Sequence, residues 1–138
     1  MYSQRKVAGL LSFCALSIAL AIALDAFGAH GLKKILSPER ILVFEKANHY
    51  LLFQNLALLL LLNLNITKNL SYLPIAINIL LAGVWIFCLS LYLAAFKELP
   101  GCSSFSKFGI VAPVGGVLMI SAWVLVFVSF LKFKKSIQ

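Results

Sequence analysis

The sequence predicts an all-α fold, a four-transmembrane-helix bundle held as an integral membrane protein. Three observations lead there. Hydrophobic residues make up 62% of the 138-residue chain and charged residues 12%, against about 45–50% and 25% in soluble domains. Mean hydropathy is +1.02, and a soluble body of this size has too little interior to hide that much apolar surface. The apolar residues are gathered into four runs, each long enough to approach the ~30 Å of a bilayer core. One domain, 1–138, accounts for the length. The same composition excludes a disordered chain, a collagen-like repeat and a secreted disulfide scaffold.

The first span is expected over 7–27. It follows Arg5-Lys6 and holds one charge, Asp25. Its run from Val7 to Leu24 is longer than the apolar part of a leader peptide, so it reads as a retained helix. Phe13 stands before Cys14, where a lipoprotein site takes a small residue. The second span is expected over 47–64. Ser37-Pro38-Glu39 ahead of it has the order of an N-cap, a first-turn proline and a first-turn acid. A helix starting there has its first turns, with Arg40, Glu45 and Lys46, in the interface or water. The third span, 73–96, carries Pro74 in its tolerant first turn. The fourth, 109–131, carries Pro113 and the pair Gly115-Gly116, which predict a kink or local unwinding near its start. The connectors hold no second domain, no internal repeat and no inverted halves.

Four spans put both termini on one side. Lys and Arg divide six against six between the two sides: Arg5, Lys6, Lys68, Lys132, Lys134 and Lys135 face Lys33, Lys34, Arg40, Lys46, Lys97 and Lys107. The undiluted Lys132/Lys134/Lys135 cluster inclines the termini to the cytoplasmic face of a plasma membrane. A formal charge of +8 without a basic stripe interleaved with aromatics excludes nucleic acid as a partner. The lipid bilayer is the partner those cations suit. Cys14, Cys88 and Cys102 are odd in number and lack the spacing of a disulfide framework or zinc site.

Small residues recur on the first span at Ala15, Ala19 and Ala23, with Ala8 and Ser12 continuing the stripe, and on the fourth at Ala112 and Gly116. Such faces let helices approach closely in lipid, and Gly28, Gly31, Pro113 and the Gly115-Gly116 pair are expected to serve helix packing in the same way. Packing inside one bundle is the simpler use; a homo-oligomer or a larger membrane complex is the other. Gly28 and Gly31 are placed to let the chain reverse after span one, through positive φ.

The polar residues of the spans are the candidate functional cluster: Asp25, His30, Asn48, His49, Tyr50 and Gln54. A carboxylate inside a span is costly unless paired or hydrated, so Asp25 is either an ion-handling group or an interfacial anchor. His30 can titrate near neutral pH, bind a metal, or hydrogen-bond a freed helix-terminal carbonyl. Asn48 and Asn55, and likewise Tyr50 and Gln54, share faces of the second helix. Asp25, His30 and His49 would converge only if the first loop folds back, and two histidines without a spacing signature assign no metal and no cofactor. Asn65-Ile66-Thr67 and Asn69-Leu70-Ser71 match the glycosylation pattern in a loop too close to the bilayer for use. No nucleophile elbow, HExxH or phosphate loop is present, so no catalytic residue is assigned and an enzyme is not predicted.

Three segments together resemble one family. Ala26-Phe27-Gly28-Ala29-His30-Gly31-Leu32-Lys33 resembles the signature after span one of the YgdD-type small inner-membrane proteins, a family of unknown function. Phe87-Cys88-Leu89-Ser90-Leu91-Tyr92 and Ala112-Pro113-Val114-Gly115-Gly116, followed by Trp123, resemble its motifs in spans three and four. The resemblance implies four spans and residence in the bacterial inner membrane, and supplies no activity. The family usually carries glycine where this chain has Asp25, and a Tyr-Gln-x-x-His pattern in span two where this chain has Tyr50-Leu51 and Gln54. The expected function is therefore a structural, interaction or lipid-binding bundle. The alternative is a small transporter or channel subunit using the polar cluster as a path for protons, ions or a small solute.

Overall fold

The computed structural model describes residues 2–67 and 70–137. Lys68 and Asn69, and the side chain of Lys135, lie outside what is described. Four long helices follow in order: α1 (Gln4–His30), α2 (Pro38–Thr67), α3 (Leu73–Ala95) and α4 (Ala112–Ile137). All four spans are long and apolar enough to cross a membrane.

Local chemistry sets the helix ends. Ser3 caps α1 by accepting from the Lys6 amide. α1 then runs past the expected end at Phe27 to His30. Gly28 is therefore helical, and among the described residues the only glycine with positive φ is Gly101. The expected reversal through positive φ at Gly28 and Gly31 is not formed, while Gly28 packs closely: it is buried, and a Cβ there would stand 3.0 Å from the Phe44 ring. Gly31 ends the helix in a right-handed conformation, its amide donating to Phe27 O, and a 3₁₀ turn (Leu32–Lys34) leads on.

α2 starts at Pro38 as expected and is 30 residues long, about 45 Å at 1.5 Å per residue. It is longer than the ~30 Å bilayer core is thick. The Ser37 hydroxyl does not cap this helix; it donates to Glu98 Oε2 at 3.1 Å. The same carboxylate takes Arg40 Nε at 2.8 Å through its other oxygen. The first and third connectors are tied together at that end. α3 starts at Leu73 with Pro74 in the first turn and ends at Ala95, with Phe96 as its C-cap. Before α4, residues Ser103–Val111 wind as a 3₁₀ segment. The expected irregularity thus lies ahead of Pro113, and α4 is continuous from Ala112.

Helices neighbouring in sequence pack together: α1 on α2, α2 on α3, α3 on α4. In the most apolar stretches, 39% of residues are buried for α2 and for α3, against 22% and 28% in the first and last spans. α2 and α3 therefore form the centre and α1 and α4 the flanks. The main core joins Cys14 and Ala21 of α1 to Leu58 and Leu62 of α2, Ile77, Leu80 and Val84 of α3, and Ala122 of α4. α3 and α4 come closest at two glycines. A Cβ on Gly115 would fall 2.6 Å from Phe87 N and 2.8 Å from Gly83 O, so only a bare backbone fits there. Outward faces carry Leu16, Ile22, Phe53, Leu60, Val117 and Ile120, apolar side chains suited to lipid.

Candidate functional site

Two separate polar groups lie between the helices. In the first, Asn48 of α2 is 3% exposed and joins three helices. Its Nδ2 donates to Asp25 Oδ1 of α1 at 3.1 Å, and its Oδ1 accepts from the Tyr92 hydroxyl of α3 at 3.0 Å. Both ends of the amide are satisfied, which a buried amide requires. Phe44, one turn before Asn48, covers the group with its ring centre 5.1 Å from that of Tyr92. Asp25 is exposed and lies near the end of α1. Tyr92 appears in the sequence only inside a motif. The available signal was its polar tip on an apolar body, which in a span seeks a partner.

The second group lines a cleft of about 510 Å³ between α2, α3 and α4. Trp123 Nε1 donates to Gln54 Oε1 at 3.2 Å, bridging α4 and α2. One turn earlier on α2, Tyr50 rests against Phe87 of α3, ring centres 4.8 Å apart. Gly116 leaves the space: a Cβ there meets nothing within 4 Å. Met119, Ile120 and Phe127 supply apolar wall. Ile120 and Phe127 are 66% and 62% exposed, so the cleft opens sideways, toward lipid, and not along a bundle axis. Along the bundle it runs from Gly116, in the second turn of α4, to Phe127 near that helix's middle, beside Tyr50 and Gln54 midway along α2.

The remaining candidates stand apart. His30 is exposed at the end of α1 and makes no hydrogen bond among the described residues, so the helix-terminal carbonyl bond expected of it is not formed. His49 is exposed beside Phe53, ring centres 6.3 Å apart. Among the described residues no three His, Cys, Asp or Glu side chains gather as a metal site would require. Ala15, Ala19 and Ala23 are exposed, as are Ala8 and Ser12. The face that packs instead carries Val7, Cys14, Ser17, Ala21 and Gly28. The preference for bundle packing through the alanine stripe is thus corrected: it lies about half a turn away from the buried stripe. Pro113 is exposed as well, and of the glycine pair only Gly115 makes the close contact.

A family model described as a protein of unknown function (DUF423) matches residues 24–116. The chain belongs to the DUF423 family. Relatives agree: UPF0382 membrane proteins of Staphylococcus aureus and Staphylococcus haemolyticus are each 32% identical over 123 residues, covering 86% of this chain and 92% of theirs. A Staphylococcus epidermidis UPF0382 membrane protein is 33% identical over the same shares. No solved structure matches. The DUF423 match contains all three motif segments, and with them Asp25, Asn48, Tyr50, Gln54, Tyr92 and Gly116; it ends before Trp123. The resemblance read from those segments was thus to a small membrane family of unknown function, and the membership is of that kind. The family description names no function, and the relatives are named for the membrane and for no reaction.

Proposed function

We propose that this DUF423 protein is a non-catalytic, multi-pass bundle of the bacterial plasma membrane that holds the acyl chain of a bilayer lipid in the cleft between α2, α3 and α4. The cleft itself carries the reading. It is an indentation on the lipid-facing side, mostly apolar, with a small set of polar groups, Tyr50, Gln54 and Trp123, at fixed positions. That combination is usual for small-ligand sites, where apolar walls give affinity and a few polar groups give orientation. Termini on the cytoplasmic side go with this reading, on the strength of Lys132 and Lys134 after the last span.

A transporter would need Asp25, His30, Asn48, His49 and Gln54 along one wet path. Against it stands their division: Asp25 and Asn48 bond with Tyr92, Gln54 bonds with Trp123, and both histidines are exposed. Closed hydrogen-bonded groups tie helices together in lipid and leave little for a moving ion.

A phospholipid carrying a photoactivatable acyl chain tests the proposal in reconstituted bilayers. Cross-links are expected to concentrate on Tyr50, Gln54 and the Met119–Phe127 stretch, above the level on the equally apolar outer face of α1 at Leu16 and Leu20. Equal labelling of both faces would contradict it. Proton flux into liposomes that exceeds empty vesicles and disappears in Asp25→Asn would favour the transporter.

A further inference from the structure

We infer that the cleft selects an anionic phospholipid, with the phosphate held by Lys46 at the cleft's rim and one acyl chain lying along Gly116, Trp123 and Phe127. The inference rests on the cleft reading above and adds its headgroup chemistry. Lys46, Tyr50 and Gln54 recur at every fourth position of α2, so they lie along one flank of the helix with a slow drift. Tyr50 and Gln54 line the cleft, and Lys46 stands one turn, about 6 Å, nearer the helix start, where α2 leaves the hydrocarbon. Its side chain is exposed and among the described residues makes no ion pair or hydrogen bond.

The nearby acids are placed elsewhere. Glu45 lines a different cleft beside Lys33, and Glu98 is taken by Arg40 and Ser37. An unpaired ammonium at the end of a span, above an apolar cleft with the exposed phenol of Tyr50 between them, is complementary to a phosphate joined to an acyl chain. A long lysine stem reaches the headgroup level while the helix stays in place. The occupant is the lipid of the surrounding leaflet; a second copy of the chain would bring another lysine to the same rim.

Trp123 reports on the site once Trp85, the other tryptophan, is changed to Phe; the Trp85 indole nitrogen has no partner to lose. The Trp85→Phe protein is reconstituted in phosphatidylcholine bilayers containing an equal mole fraction of either chain-brominated phosphatidylglycerol or chain-brominated phosphatidylcholine, and quenching is compared. Brominated phosphatidylglycerol is expected to associate about fivefold more strongly, the worth of one lysine near an anionic headgroup. Lys46→Gln should bring the ratio to one while quenching by brominated phosphatidylcholine persists. Gly116→Leu grows into open space, leaves the fold intact, and should weaken quenching by both. A wild-type ratio of one, or a ratio unchanged by Lys46→Gln, overturns the headgroup inference and leaves the cleft standing. Quenching by both lipids that Gly116→Leu leaves unchanged, or Trp123 shielded from both as a second chain would shield it, overturns the cleft reading as well.

Discussion

Gly115 and Gly116 are neighbours with opposite surroundings. Gly115 is where α4 lies against the backbone of α3 at Gly83 and Phe87, while Gly116 borders empty space. Gly115→Ala must push α3 and α4 apart at their closest point, and overpacking of that kind costs about 1–3 kcal/mol. Its melting temperature in detergent should fall, with that of Gly116→Ala unchanged or raised by the better helix former. A sequence shows two glycines in a row but not which one meets a neighbour, since that depends on the phase of α3 and on where it places Gly83. Asn48 follows the same logic from the polar side. Its amide and the Asp25 carboxylate were legible as polar groups in apolar runs; their partnership was not, because the third member, Tyr92, lies 44 residues away. Asn48→Leu, close in volume, removes both bonds and should lower stability by about 1 kcal/mol, near the middle of what interhelical hydrogen bonds supply in membranes. Tyr92→Phe removes one bond and should lower it by less, as read from denaturant titrations of the two variants.

At the scale of the helix, span positions were legible because apolar length alone sets them, whereas faces were not. α1 is apolar nearly all round, so its pattern does not reveal which stripe is buried. The small residues at Ala15, Ala19 and Ala23 suggested one face, and the helix packs through Cys14, Ser17 and Ala21. α1 is fixed at its start by a contact with the first turn of α3. The Tyr2 hydroxyl donates to Pro74 O at 2.5 Å, and burial pushes this phenol above its usual value of 10.0. A folded-state value raised above the unfolded one means the contribution is complete below pH about 10 and is lost as pH rises through the folded value. Alkaline melting curves of the protein and of Tyr2→Phe should therefore differ at neutral pH and converge at high pH. A gap that stays constant would place the stabilisation in packing of the ring alone. The 3₁₀ segment Ser103–Val111 was the other unread element. Gly109-Ile110-Val111 are apolar and so read as the start of the fourth span, because hydropathy does not distinguish three residues per turn from 3.6.

The whole molecule is a central pair, α2 and α3, with α1 and α4 on its flanks. Its membrane class follows from composition, its four spans from length, and its family from three motifs that the structure scatters over α1, α3 and α4. The polar cluster proposed from the sequence is not one site. It divides into a three-helix tie at Asp25, Asn48 and Tyr92 and a cleft at Tyr50, Gln54 and Trp123, with both histidines outside. That division depends on helix rotation, which apolar periodicity in lipid-facing helices leaves nearly free. It also shapes the functional account, in which the tie holds α1 to the central pair and the cleft, with Gly116 at its floor, receives a molecule from the bilayer. The most direct measurement is native mass spectrometry of the protein released from gentle detergent, compared with Gly116→Leu. The account predicts a reproducible retained mass of lipid size on the wild type that is lost from Gly116→Leu while the folded chain persists. Bare wild-type protein, or the same mass retained equally by both, would contradict it.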